Sequence, residues 1–390
     1  MINTNSEKID EILKRGVEEV IERESLEKKL KSGKKLRIKL GIDPTSPNMH
    51  VGRAIPLLKL KDFQKLGHKI VLIIGDFTGI IGDTSDKESE RPMLDTKTIK
   101  ENMKTYAKQA GKILDMKKCE LRYNSSWLKK LGFVEIGRMA DLFGLHEFES
   151  RENISLRLRE GKRVSVRELL YPIMQGYDSV AVKADVELGG TDQRFNLLSG
   201  REIQRYYNQE PQNIMTNPLI EGTDGRKMSS SRGNTINLLD NAKEMFGKTM
   251  SLPDELIIKY FLLTTRLPMS KIEEIKKMSN PRDQKSRLAY EIVKMYHGEK
   301  EAQKTEDEFN KTFRDKNPTF TEFKIEKKEV PILDLLVETN LTPSKNEAKR
   351  LILQKAVKIN GEVQEDWQKI IKIVTGTKIQ VGPRKFLELI

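Results

Sequence analysis

Two short apolar stretches limit what this chain can fold into. Residues 36–42, LRIKLGI, alternate: Leu36, Ile38, Leu40 and Ile42 point one way, Lys39, Gly41 and then Asp43 the other. Residues 69–76, KIVLIIGD, are continuously apolar at first, as in a strand covered on both faces. Between them Ile55, Leu58 and Leu66 recur at helical spacing, and Gly67 supplies a stop. Parallel strands need a crossover of this kind, so 36–76 is a βαβ unit. Residues 185–207, DVELGGTDQRFNLLSGREIQRYY, repeat the strand–turn–helix theme. The first half is therefore α/β, with a Rossmann-like doubly wound parallel sheet.

Beyond residue 235 the pattern becomes helical and charged, and 313–331 reads as a linker. After Pro331 two short helices are followed by two hairpins, the first turning at Asn360-Gly361. The expected organisation is a Rossmann-like domain over 1–234, a helical domain over 235–325 and a small α+β domain over 326–390.

The 71 Lys and Arg outweigh 58 Asp and Glu, a net +13 that suits a polyanionic partner as well as plain solubility. No apolar run reaches the roughly 18–20 residues that span a bilayer, and MINTNSEKIDEILKRG reads as an amphipathic helix start, not a secretory signal. Cys119 is the only cysteine, so no intrachain disulfide can form, and four scattered histidines argue against structural zinc. The cytoplasm is the expected compartment.

Ligands of open parallel sheets bind beyond the carboxyl ends of the strands. Two such ends are richly furnished: Asp43 to His50, and Gly189-Gly190-Thr191-Asp192-Gln193. Both lead into helix N-termini, which attract phosphate. The paired glycines permit close approach of a ligand, and Asp192 suits ribose hydroxyls. No G-x-G-x-x-G or Walker lysine pattern occurs. A third segment, EGTDGRKMSSSRGN (221–234), is expected to be mobile. It fits a flexible linker, but its lysine could also bring charge onto a leaving phosphate in the transition state. Likewise His50 alone fits a capping or surface histidine.

Taken together, these residues resemble a family. His50-Val51-Gly52-Arg53 resembles the His-Ile-Gly-His signature of class I aminoacyl-tRNA synthetases, and Lys227-Met228-Ser229-Ser230-Ser231 resembles their Lys-Met-Ser-Lys-Ser signature, about 175 residues later. YPIMQGYD (171–178) and VELGGTDQ (186–193) are similar to the bacterial tyrosyl-tRNA synthetase family, and the similarity runs from near residue 30 to the C-terminus. The tail resembles a small RNA-binding fold shared with a ribosomal protein, which tryptophanyl enzymes generally lack.

The resemblance implies roles. Thr45 and His50 would hold the ATP triphosphate, Gly52 would let adenine pack close, and Asp43 would face the aminoacyl adenylate. Lys227, with Met228, Ser229 and Ser230, would bind departing pyrophosphate, aided by Lys87 and Arg91. Gly190 and Asp192 would meet the ribose. Asp83, Tyr171 and Gln175 would hold the substrate ammonium, Asp178 the phenol, and Gln193 the carboxylate or ring. Tyr171, Gln175 and Asp178 share one helix face by spacing. Magnesium would accompany ATP, with few or no protein ligands and no metal site of the chain's own. The helical domain would meet the anticodon region. Lys345, Lys349, Arg350 and Lys355 would contact RNA backbone, and the partners would be tRNA(Tyr), L-tyrosine, ATP and a second copy in a homodimer, with no membrane.

The implied activity is a tyrosine--tRNA ligase that forms tyrosyl-adenylate and transfers tyrosine to the tRNA 3′ end. Four positions depart from the pattern. Arg53 replaces the second signature histidine and Ser230 the second signature lysine. Lys39 stands where some members place a tyrosine on the substrate phenol, and Glu187 where those members have glutamine. A tryptophanyl enzyme, a small nucleotidyltransferase and a non-catalytic RNA-binding relative of a synthetase are the competing readings.

Overall fold

A computed structural model describes residues 2–85, 92–313, 320–325, 327–382 and 385–390. Six strands form the main sheet: β1 (Glu19–Ile21), β2 (Arg37–Ile42), β3 (Lys69–Ile74), β4 (Cys119–Tyr123), β5 (Val186–Gly190) and β6 (Asn213–Asn217). Their order is β1-β6-β5-β2-β3-β4. All neighbours are parallel except β1, which runs antiparallel to β6. The strand order reverses between β2 and β5, so a crevice opens beyond their carboxyl ends, where Asp43 and Gly190 stand.

The apolar runs determine this sheet. Ile38, Leu40, Ile70, Leu72 and Val186 pack into one core with Ala54, Leu57 and Leu58 of the helix Val51–Lys65. On the other face Val71 and Ile73 meet Val182 and Ala184, at and just after the end of the helix Val166–Val182. Both faces of the strands are covered at this level of the sheet, and Lys39, on the polar side of β2, is fully buried.

The helical region does not form a core of its own. Met245, Phe246, Tyr260, Phe261 and Ile292 belong to the same apolar cluster as Leu40 and Leu58. The expected break at 234/235 is thus a change of secondary structure and not of packing. The tail does have a separate core, built on Leu335, Leu336, Ile352, Ile379 and Leu387. Its helices are Ile332–Glu338 and Lys345–Leu353, and Asn360 and Gly361, both at positive φ, turn the first hairpin. The boundary expected at 326 moves earlier. Strand Thr321–Phe323 pairs in parallel with Lys385–Leu389, and Glu329–Pro331 pairs with Ile370–Lys372, so the expected linker supplies two strands.

Candidate active site

The turn after β2 is built around the Asp43 carboxyl. Thr78 donates to its Oδ1 at 2.7 Å and the Tyr171 hydroxyl to its Oδ2 at 2.8 Å. Burial still raises its pKa to about 6. Gly75 is required beside it, because a Cβ there would lie 1.9 Å from Oδ1. Arg53, one turn into the following helix, folds back onto the loop. It donates to Thr45 Oγ1 at 2.8 Å, to the Asp43 carbonyl at 3.2 Å and to the Tyr106 hydroxyl at 2.9 Å. Its guanidinium therefore braces Thr45 while still lining the cavity.

His50 caps the same helix without a side-chain capping bond. Its Nδ1 is buried with no protein partner among the described residues. Burial, helped by the Arg53 charge, lowers its pKa to about 3, so the ring is neutral at physiological pH. Gly52 keeps room for that ring: a Cβ would stand 3.0 Å from Nδ1.

The helix Val166–Val182 carries Tyr171, Gln175 and Asp178 toward the same crevice. Asp178 is 3% exposed. Trp127 Nε1 donates to its Oδ1 at 2.7 Å and Asn124 Nδ2 to its Oδ2 at 3.2 Å. Burial raises its pKa to about 7, against the opposing pull of the Lys39 charge and these two donors. Asp83 sits at the other end of this face and accepts from Gln193 Nε2 at 2.7 Å.

Lys39 is not where a substrate contact would put it. It does not line the cavity; its ammonium is 2.8 Å from Glu187 and donates to Ser179 Oγ and the Gln175 carbonyl. A fully buried ammonium needs three acceptors, one of them an anion, and Glu187, Ser179 and Gln175 supply them.

The segment 221–234 is tied together by side-chain hydrogen bonds. Buried Asn234 accepts from the Ser229 N–H and donates to Asp224 and to the Arg226 and Lys227 carbonyls, while Met228 is buried. Lys227 lies 3.2 Å from Asp192, and Ser230 Oγ is 3.5 Å from Ser46 Oγ of the first turn. One cavity of about 720 Å³ is lined by both turns, Gly190, Asp192, Gln193 and the Tyr171–Gln175–Asp178 face. Lys87 and Arg91 lie outside the described residues.

In the tail the four expected RNA contacts each have an internal partner. Lys345 pairs with Asp334, Arg350 with Glu347 at 2.5 Å and Lys355 with Glu365 at 2.8 Å, while Lys349 lies 3.8 Å over the Trp367 ring. Sequence reasoning missed Thr78, Asn124, Trp127 and Ser179. Their signal was weak: Trp127, one of two tryptophans, was the only unusual residue among them.

A profile of the family described as tRNA synthetases class I (W and Y) matches residues 31–314, and the chain belongs to that family of aminoacyl-tRNA synthetases. Residues 308–378 match a second profile, the Tyrosine--tRNA ligase SYY-like C-terminal domain. The Tyrosine--tRNA ligase of Thermotoga maritima is 48% identical over 385 residues, covering 97% of this chain and 96% of that protein. The Tyrosine--tRNA ligase of Aquifex aeolicus is 44% identical over 384 residues, covering 97% of each. Among solved structures, tyrosyl-tRNA synthetase from Archaeoglobus fulgidus, complexed with L-tyrosine, superposes with a TM-score of 0.62 at 22% identity over 77% of this chain and 99% of that one. A C-terminally truncated Aspergillus nidulans mitochondrial tyrosyl-tRNA synthetase gives 0.66 at 22% identity over 78% of this chain and 94% of that one. The fold is thus that of the class I synthetases, with an added β-rich domain at the C-terminus.

Proposed function

We propose that this chain is a tyrosine--tRNA ligase that activates tyrosine with ATP and charges tRNA(Tyr). One observation carries the reading: a single cavity joins a buried, donor-held carboxyl, Asp178, to a phosphate-suited turn at His50 and to Lys227. The near full-length relatives that bear this name support it.

The tyrosine carboxylate attacks the α-phosphate of ATP in line, giving tyrosyl-adenylate and pyrophosphate. A ribose hydroxyl at the tRNA end then takes the tyrosyl group. The carboxylate is already a nucleophile, so the first step needs positioning and charge stabilisation and no general base. Asp178 accepts from the substrate phenol, and Tyr171, Gln175 and Asp83 receive the ammonium. Gln193 lies near the carboxylate or ring. Gly190 and Asp192 face the ribose, and Asp43 the adenylate. Thr45 and neutral His50 meet the triphosphate, beside the close approach that Gly52 allows. Lys227, with Met228, Ser229 and Ser230, receives pyrophosphate. Its 3.2 Å contact with Asp192 is exchanged for phosphate as charge develops. Magnesium would accompany ATP and would neutralise phosphate charge, with few or no ligands from the chain.

The tail binds RNA, which requires Lys345, Arg350 and Lys355 to exchange their carboxylate partners for phosphate, a low-cost step for exposed pairs. The helical region lies toward the anticodon region of the tRNA. Phe133, Val134, Leu145 and Val166 are exposed apolar side chains, with Phe133 at 90%, and such exposure supports a homodimer. The compartment is the cytoplasm.

The test is exchange of labelled pyrophosphate into ATP without tRNA, with tyrosine, tryptophan or phenylalanine. Exchange with tyrosine alone is expected. Exchange with tryptophan would move the assignment to the sister enzyme. No exchange by folded protein would favour an RNA-binding role.

A further inference from the structure

Below the amino-acid pocket lies a buried ion pair to which the mechanism above gives no role. Lys39 on β2 and Glu187 on β5 are register partners across the sheet. Their side chains are 0% and 1% exposed, and Nζ is 2.8 Å from Oε1. The three ammonium protons are satisfied by Glu187, by Ser179 Oγ at 2.8 Å and by the Gln175 carbonyl at 3.0 Å. Glu187 in turn accepts from Ser179 Oγ at 2.9 Å, from Gln212 Nε2 at 2.5 Å and from Gln175 Nε2 at 3.2 Å.

The last bond has a chemical consequence. A glutamine amide can bind an ammonium only through its oxygen. With Gln175 Nε2 held by the buried carboxylate, Oε1 is the end left to the cavity that Gln175 lines. Glu187 as a carboxylate accepts and cannot donate, so it excludes the flipped amide. Lys39 neutralises Glu187 and ties down the helical backbone at Gln175 and the side chain of Ser179, on either side of Asp178. For stability alone a buried ion pair is often no better than well-packed apolar side chains, so orientation is what the pair specifically supplies.

We propose that the Lys39–Glu187 pair is a positioning device for the amino-acid pocket, which fixes the Gln175 amide with its oxygen toward the substrate ammonium and holds the turn that carries Asp178. The proposal rests on the tyrosine-activation reading. Lys39 and Glu187 are positioning residues: neither touches substrate.

Glu187→Gln is nearly isosteric and removes the acceptor-only character of the site. In tyrosine-dependent pyrophosphate exchange it is expected to raise KM for tyrosine about tenfold and leave KM for ATP within about twofold. Lys39→Met should act in the same direction. On a Gln175→Met background, Glu187→Gln should add little, since its effect runs through that amide. A tyrosine KM unchanged in folded Glu187→Gln protein, an equal rise in both KM values, or a full added effect on the Gln175→Met background would each overturn the proposal. If the unaltered chain exchanges with no amino acid, the tyrosine reading fails as well; if it exchanges normally and the variants match it, only this proposal fails.

Discussion

The Trp127 indole N–H donates to Asp178 Oδ1 at 2.7 Å, inside a pocket wall where Asp178 is nearly inaccessible. The bond sets which lone pairs of the carboxyl remain for a ligand. Replacing tyrosine by phenylalanine would leave those remaining lone pairs without a donor, the source of discrimination for which tyrosyl-tRNA synthetases are the standard example. Asp178→Ala should therefore collapse the ratio of kcat/KM for tyrosine to that for phenylalanine, by about 10- to 100-fold. Pyrophosphate exchange with each amino acid measures it, and an unchanged ratio removes Asp178 from the role.

The pH profile should follow the two buried carboxyls. With pKa values raised to about 6 for Asp43 and about 7 for Asp178, both by burial, kcat/KM for tyrosine should rise with pH through both values and level off beyond the upper one. Trp127→Phe removes a donor to the charged form and should move the upper limb to higher pH. The effect on stability has the opposite sign. Both carboxyls are held above the ordinary 3.8, so their contribution is full below that pH and is lost as pH rises through about 6 and 7. Asp178→Asn should flatten part of that loss in a series of thermal melts.

His50 is neutral at every working pH, its pKa lowered to about 3 by burial. His50→Ala should lower kcat by about 10- to 100-fold with KM for tyrosine nearly unchanged, because the ring serves charge that develops in the transition state. Single-turnover adenylate formation separates this from a binding defect. A rise in tyrosine KM alone would contradict it.

Arg53 holds Thr45, Tyr106 and the Asp43 carbonyl together. Arg53→Met should destabilise the fold by about 1 kcal/mol, since three partly buried acceptors lose their donor, and should raise KM for ATP more than KM for tyrosine. Urea unfolding and steady-state exchange test the two parts.

Deleting residues 320–390 should abolish tRNA charging and spare adenylate formation, because the tail core is separate from that of the sheet. A cut at 331 would strand Thr321–Phe323 without its partner Lys385–Leu389 and is expected to give a less soluble protein. Equal loss of both activities on the earlier cut would show that the tail supports the catalytic region.

The sequence determined the βαβ unit, the strand ends and the helix face of Tyr171, Gln175 and Asp178, since each follows from periodicity within a few dozen residues. It also placed the tail hairpin at Asn360-Gly361, where the turn chemistry is local. The tertiary structure decided what depends on residues distant in the chain. Asp43 meets Thr78 and Tyr171, Asp178 meets Asn124 and Trp127, and Lys39 meets Glu187 only when strands and helices pack. The same packing set Arg53 against the first turn as a brace and drew Lys39 out of the cavity lining. Periodicity shows which face a side chain occupies. Its partner is set by desolvation, which obliges each buried charge to find one, and that partner can lie anywhere in the chain.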